Sequence, residues 1–457
     1  MSATGPSAWR QALRYAGGII PPAWRDGPVY RTWSRFLLEA QYWPAERIQG
    51  WQLEQLRRIV RLAYEGTEGY RVLYDRAGVH PDDLRAIDDL ARFPLVTKQD
   101  IQQDLEAFSL KSGRRRYAST GGSTGVPFGF YKRPSDGKLE WAFMHAGWRR
   151  AGWRRNGVSA ILRGGFIGSA EHWWEYNPYR RELYLSSYYL TRDTARAYLD
   201  KMRQYDARIL QAYPSSCHML ADLLLEHGAS SWGPELILLG SENVYDWQLR
   251  KAESVFPTAR FFAWYGQSEQ VILAPWCEQT RICHAWPFYG WTEVVDAVGR
   301  EIREGETGEL VGTSFHVTAT PFVRYRTSDV AVKGAERCEA CGRHGRLLSR
   351  IEGRAHELLV TASGRHISMT AINMHDRIFE PVRQFLFCQE VPGQAEFRYV
   401  PKRPLTSEEV DRMRHGLMNK LGGDMILVLQ PVAEIPRSAS GKMRFLDQRL
   451  PVRYLSS

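Results

Sequence analysis

Cysteine is scarce, with six in 457 residues. That is too few for a small secreted domain stapled by disulfides. No apolar run reaches the roughly 18 residues of a membrane-spanning helix, and the first residues lead into Arg10 and Arg14 without an apolar signal core. The expectation is a cytoplasmic protein with no membrane partner. Blocks of about five or six consecutive like charges are also missing. The formal charge of +10 is spread over pairs and triplets such as Arg114-Arg115-Arg116 and Arg180-Arg181, which reads as a solvated surface rather than a nucleic-acid-binding tail. No internal repeat or low-complexity tract interrupts the chain.

What is present is ordinary globular material, 44% hydrophobic and 25% charged, which argues against disorder. The 16 tryptophans need a large core or pockets to cover them. The length suggests two or three domains. Residues 1–110 read as mostly helical: over 51–64, Leu53, Leu56, Ile59, Val60 and Ala63 recur at helical spacing. Strand-like runs follow at 160–163, 209–212, 235–239 and 260–264. Helical stretches at 191–205, 219–226 and 247–255 separate them. Strands alternating with helices predict an α/β fold with a substantial parallel sheet. After about residue 352 the pattern changes to short strands at 357–360, 384–388, 396–400 and 425–430. Between them Thr406-Ser407-Glu408-Glu409 is a capping box that starts a helix ending at Gly422-Gly423. The division expected is 1–352 and 353–457.

The strongest local motif is Ser119-Thr120-Gly121-Gly122-Ser123-Thr124-Gly125. Its glycines allow close backbone approach, and its hydroxyls and N–H groups suit phosphate oxygens. No Lys follows Gly125, so it is not a Walker A loop. Gly240-Ser241-Glu242 ends one strand-like run, where α/β sheets present ligands. Trp264-Tyr265-Gly266-Gln267-Ser268-Glu269 ends the next. Its Tyr could stack on a base and its Glu could hold Mg²⁺. Arg324-Tyr325-Arg326-Thr327-Ser328-Asp329 offers a carboxylate for ribose hydroxyls. Near the end, Lys442 sits on a Ser/Gly loop, Ser438-Ala439-Ser440-Gly441.

In order and spacing these segments resemble the adenylate-forming (acyl-CoA synthetase-like) superfamily, in the branch of phenylacetate–CoA ligases and CapK-type proteins. The resemblance covers almost the whole chain. It implies a large N-terminal adenylation domain and a small mobile C-terminal one. It also implies ATP, Mg²⁺, a small-molecule carboxylic acid and an acyl acceptor, most simply coenzyme A. Residue by residue, it places Ser119 to Gly125 on the ATP β- and γ-phosphates. Gly240, Ser241 and Glu242 border the adenine, with Tyr265 stacked on it and Gly266 beside it. Ser268 and Glu269 meet the α-phosphate and Mg²⁺. Asp329 takes the ribose, assisted by Arg350 or Arg354, and Lys442 is the catalytic lysine of adenylation. The sequence departs from the common pattern at the hinge, Gly353-Arg354-Ala355-His356-Glu357, where Asp is frequent, and at Ser328, where Gly is usual.

Cys338-Glu339-Ala340-Cys341 has the spacing of half a tetrahedral zinc site, and Cys277 with His284 supplies a second half. Cys283 competes with His284; the resemblance favours His284. Two rival readings stay open here. One is transfer of the acyl group to an amine, a sugar or a carrier-protein thiol. The other is a zinc-stabilised nucleic-acid-binding protein.

Overall fold

The computed structural model describes residues 27–119, 128–163, 166, 171–187, 189–226, 232–354, 358–364, 366–368, 372, 381–437 and 443–450. The lead-in is helical, with α1 (Gly27–Ala40), α2 (Ala45–Gly66), α3 (Glu68–Ala77) and α4 (Lys98–Gln103). Helix α2 is longer than the periodic stretch because Pro44, at φ −65°, opens it ahead of the first apolar residue. Leu56, Ile59, Val60 and Ala63 are buried, as their spacing predicts. Thr67 separates α2 from α3: its N–H donates to Ala63 O and its side chain accepts from Tyr70 N.

A hairpin of β1 (Arg116–Ser119) and β2 (Gly129–Lys132) leads to α5 (Asp136–Arg150). Next come β3 (Ser159–Arg163), β4 (Trp174–Asn177), β5 (Glu182–Ser186), α6 (Arg192–Gln204), β6 (Ile209–Ala212) and α7 (Pro214–Glu226). They are followed by β7 (Leu236–Leu239), α8 (Asp246–Val255), β8 (Arg260–Gly266) and β9 (Leu273–Pro275). The strands form a seven-stranded sheet in the order β4-β5-β3-β6-β7-β8-β9. It is parallel from β5 to β8, with antiparallel edges. Leu162, Leu210, Ile237 and Ala263 pack into one core with residues of α6, α7 and α8. Leu238 and Phe262 face the other way, against Trp148 of α5. Burial on both faces explains why these strands read as short continuous apolar runs.

A second sheet is antiparallel: β10 (Cys283–His284), β11 (Gly290–Val295), β12 (Thr307–Ser314), β13 (Tyr325–Lys333) and β14 (Leu347–Arg354), in the order β10-β14-β13-β12-β11. The sequence reading did not anticipate it. Strand β12 (TGELVGTS) is almost wholly buried yet mixes glycine with polar residues, so no period of two shows. A Cβ at Gly312 would come within 2.8 Å of the Val271 side chain, so glycine lets the strand pack that closely.

The last part contains β15 (Leu358–Val360), β16 (His366–Ser368), β17 (Val382–Val391), β18 (Gln394–Pro401), α9 (Ser407–Leu421), β19 (Ile426–Pro431) and β20 (Leu446–Gln448). Four of its strands pair as β19-β18-β17-β20, and Met413, Leu417 and Leu421 of α9 join their core. The Thr406–Glu409 capping box forms as expected. Trp247 of α8 reaches this core, lying 5.7 Å from Phe385 and 5.6 Å from Phe445 between ring centroids. Among the described residues no helix is long and apolar enough to cross a membrane.

Candidate functional site

The register of the parallel sheet gathers the site. Leu162 pairs with Ala212, Ala212 with Leu239, and Leu239 with Ala263. The chain therefore leaves β3, β6, β7 and β8 side by side, at Arg163, Tyr213, Gly240 and Trp264. This is the carboxyl edge at which open α/β sheets bind ligands. At Gly240 a Cβ would fall 2.5 Å from the Trp264 indole, so only glycine lets that ring lie across the end of β7. Ser241 follows at φ +69°. The Glu242 carboxylate accepts from both Ser215 N and Ser215 Oγ at 3.0 Å. It thus caps the first turn of α7, where a negative charge is favoured. That contact explains why α7 starts at Pro214, ahead of the predicted residue 219.

At the end of β8 and in the loop just beyond it, two tyrosine–carboxylate contacts reach the antiparallel sheet in opposite senses. Tyr265 Oη donates to Asp329 Oδ2 at 2.6 Å, and Tyr325 Oη donates to Glu269 Oε1 at 3.2 Å. Gln267 Nε2 also donates to Tyr265 Oη, at 2.5 Å. Burial, and then the neighbouring Asp329 charge, raise the Tyr265 hydroxyl well above its ordinary pKa. It stays a neutral donor, and its ring keeps one orientation. Asp329 is itself buried and pairs in register with Arg354 of β14. Arg350 stands opposite Val332 and donates to Glu352. Gly266 and Ser268 are exposed. Ser328 takes φ +62°, a conformation that accounts for glycine being usual there.

The segment before Asp329 is fixed from below. Arg324 donates to Glu293 at 2.9 Å, to Phe93 O and Gly299 O at 2.8 Å, and to Ala91 O at 3.0 Å, all in the interior. The helical lead-in is thereby tied to β13.

Ser119 pairs with Gly129 across the hairpin. Thr120, Gly121, Gly122, Ser123, Thr124 and Gly125 lie outside the described residues, as does Lys442. Phe445, just beyond that lysine, packs edge-on against Tyr245 at 5.5 Å, close in sequence to Glu242.

Two groups of residues escaped the sequence reading. Lys132, Asp136, Glu140 and Gln270 cluster beside Glu269. Burial lowers the Lys132 pKa against the pull of Glu140, Asp136 and Glu269, and Gln270 donates to Glu140. Nothing in their spacing announces this, since they converge from β2, α5 and the loop after β8. The other is Arg163. Its only sequence signal is a basic residue at the end of an apolar strand, before Gly164-Gly165.

Away from this edge, Cys277, His284, Cys338 and Cys341 bring one ligand atom each to within 4.8 Å of one another. Cys277 Sγ lies 3.9 Å from Cys338 Sγ, and Cys341 Sγ lies 4.0 Å from His284 Nε2. Ligands about 2.3 Å (S) and 2.0 Å (N) from a tetrahedral zinc stand about 3.5–3.8 Å apart, so the four residues fit that ion. Adjacent residues of a strand face opposite ways. Accordingly His284 turns to the cluster, while Cys283 joins the core of the antiparallel sheet, where burial pushes its thiol up to about 12.

No protein-family model matches the chain. The phenylacetate–coenzyme A ligase of Thermus thermophilus is 27% identical over 457 aligned positions, covering 90% of this chain and 99% of that protein. Protein CapK of Staphylococcus aureus is 22% identical over 370 positions, covering 78% and 80%. A crystal structure of 2-hydroxyisobutyryl-CoA ligase in the postadenylation state, complexed with 2-HIB-AMP, superimposes with a TM-score of 0.71. It shares 16% identity, with 89% of this chain and 91% of that one covered. The fold is that of this CoA ligase. Over most of its length the chain is similar in sequence to phenylacetate–CoA ligase and to CapK.

Proposed function

We propose that the protein uses ATP to convert a carboxylic acid into an acyl adenylate, releases pyrophosphate, and passes the acyl group to coenzyme A in the cytoplasm. The observation that carries this reading is the pair of crossed contacts, Tyr265 with Asp329 and Glu269 with Tyr325. They hold an aromatic ring and two carboxylates at the open edge of a parallel sheet.

The chemistry asks mostly for positioning. A carboxylate must approach the α-phosphorus of a triphosphate. Unit negative charges about 4 Å apart repel by roughly 4 kcal/mol at an effective dielectric near 20. Lys442 answers that repulsion with a positive charge. Glu269, with Ser268 beside it, is the residue to hold Mg²⁺, which when bound neutralises phosphate charge. Ser119 to Gly125 take the β- and γ-phosphates through hydroxyl and N–H donors. Gly240, Ser241 and Glu242 border the adenine. Tyr265, fixed at its hydroxyl, offers its ring to the base, and Gly266 keeps the turn beside it narrow. Asp329 accepts from the ribose hydroxyls, with Arg354, its register partner, and Arg350 as candidate helpers. Residues 353–457 act as the small domain that swings about Arg354 to Glu357 between the two half-reactions. Cys277, His284, Cys338 and Cys341 hold a structural zinc ion, which would cross-link the loop before β10 to the turn before β14.

The test is direct. With ATP, Mg²⁺, coenzyme A and an acid panel, the protein should release AMP while the coenzyme A thiol disappears. The CapK relative supports a second reading in which an amine or sugar replaces coenzyme A. AMP release that needs such an acceptor, with the thiol untouched, would favour it. A nucleic-acid-binding role is not supported, because it leaves the nucleotide-site residues without a purpose.

A further inference from the structure

Arg163 closes β3 on the face of the sheet that α5 covers. Its guanidinium carbon lies 5.4 Å from the centroid of the Trp264 indole, which in turn packs 5.3 Å from Trp148. Nε and Nη2 are shut off from solvent and have no hydrogen-bond partner among the described residues. Arg163 makes no ion pair there either. Tyr213 and, less, Glu182 act on it only at a distance, and that carboxylate is already engaged by the Tyr184 hydroxyl.

A guanidinium offers five N–H donors in a planar fork and stays charged. Burying part of it, Nε and Nη2, without an anion is costly. A cation–π contact with one indole offsets only part of that cost. The imbalance stands at the carboxyl edge, in one row with Tyr213, Gly240 and Trp264, where a ligand is expected. The walls beside it are the indoles of Trp148 and Trp264. Such walls suit an organic acyl group rather than a triphosphate.

We propose that Arg163 is a specificity-determining residue of the acyl pocket, and that the acid activated here carries a second anionic group, distal to the reacting carboxylate, which Arg163 binds. This rests on the adenylating function proposed above. It makes the substrate a dianion, such as a dicarboxylic acid, with an apolar or aromatic body between its charges. The distal group takes no part in bond making. It orients the acid, and its charge makes good the buried guanidinium.

The experiment measures acid-dependent ATP–pyrophosphate exchange for pairs of acids differing only in the second ionised group. Phenylacetate against 4-carboxyphenylacetate is one pair, and straight-chain acids against their ω-carboxylates are others. In the wild-type protein the best dianion should exceed its monoanionic counterpart in kcat/KM by about tenfold or more. Arg163→Gln should shrink that ratio at least tenfold, mainly through KM for the acid, and Arg163→Lys should retain part of it. Because the readout is a ratio of two acids on one preparation, partial loss of folded protein cancels. Exchange with monoanionic acids but no dianion preference, or a ratio that Arg163→Gln leaves unchanged while KM for ATP rises, would overturn the assignment. No exchange with any acid would instead remove the adenylating function itself, and this assignment with it.

Discussion

The Tyr265 hydroxyl and Asp329 Oδ2 meet at 2.6 Å across 64 positions of sequence. This one contact ties the end of β8 to the middle of β13, and so joins the two sheets beside the proposed nucleotide site. A buried hydrogen bond to a charged acceptor contributes about 1.5–3 kcal/mol. Tyr265→Phe keeps the ring and loses the anchor, so KM for ATP should rise several-fold with kcat changed less. Asp329→Ala should raise it by about tenfold or more, since it also removes the carboxylate proposed to take the ribose hydroxyls. Steady-state kinetics with varied ATP, run as a double-mutant cycle, should return coupling between the two positions; full additivity would argue against the contact.

Ser328, next to Asp329, holds φ +62° while its N–H donates to Glu309 at 3.1 Å. A left-handed backbone costs a non-glycine residue about 1–2 kcal/mol. Ser328→Gly should stabilise the protein by about 1 kcal/mol or less, because glycine also adds chain entropy to the unfolded state. Urea unfolding midpoints at unchanged m would measure it.

The zinc cluster makes a two-sided prediction. Metal analysis should find about one zinc per chain, and Cys338→Ser or Cys341→Ser should lose it along with thermal stability. Cys283→Ser, one residue from His284 but turned into the core, should keep the metal. Loss of zinc from Cys283→Ser, with retention in Cys341→Ser, would reverse the assignment of ligands.

Asp222 of α7 accepts from Lys251 at 2.5 Å and from Lys402 of the C-terminal part at 2.7 Å. Burial alone would raise its pKa; the Lys251 and Lys402 contacts outweigh burial and leave it below the ordinary 3.8. The sign follows from tighter proton binding in the unfolded chain. The contribution is fully present above about pH 4–5 and is lost as pH falls through 3.8 toward the lower folded value. Thermal unfolding followed from pH 6 down to pH 3 should show this loss, and Asp222→Asn should flatten it. At neutral pH the variant should already be weaker by about 3 kcal/mol, because both lysines keep their charge without a carboxylate.

Much of this architecture is legible in the chain because its strands are short apolar runs. Residues 209–212 form β6 with the bounds their composition suggests, and the Thr406–Glu409 box starts α9 where local chemistry requires. Asp329, Glu269 and Glu242 stand out in the sequence as motif members, whereas their hydrogen-bond partners do not. That Tyr325 serves Glu269, or that Glu242 caps α7, depends on register between distant strands. The antiparallel sheet went unread because β12 carries glycine and polar residues on both faces. Arg163 went unread because an arginine at a strand end is unremarkable until it is seen that Nε and Nη2 have no partner among the described residues.

The central claim is tested most directly by carboxylate-dependent ATP–pyrophosphate exchange in the wild-type protein and in Lys442→Ala. The account predicts exchange that requires an acid and Mg²⁺ in the wild type. In the variant the rate should fall by about 100-fold or more, with the circular-dichroism spectrum unchanged. Absence of exchange with every acid, or an undiminished rate in Lys442→Ala, would contradict it.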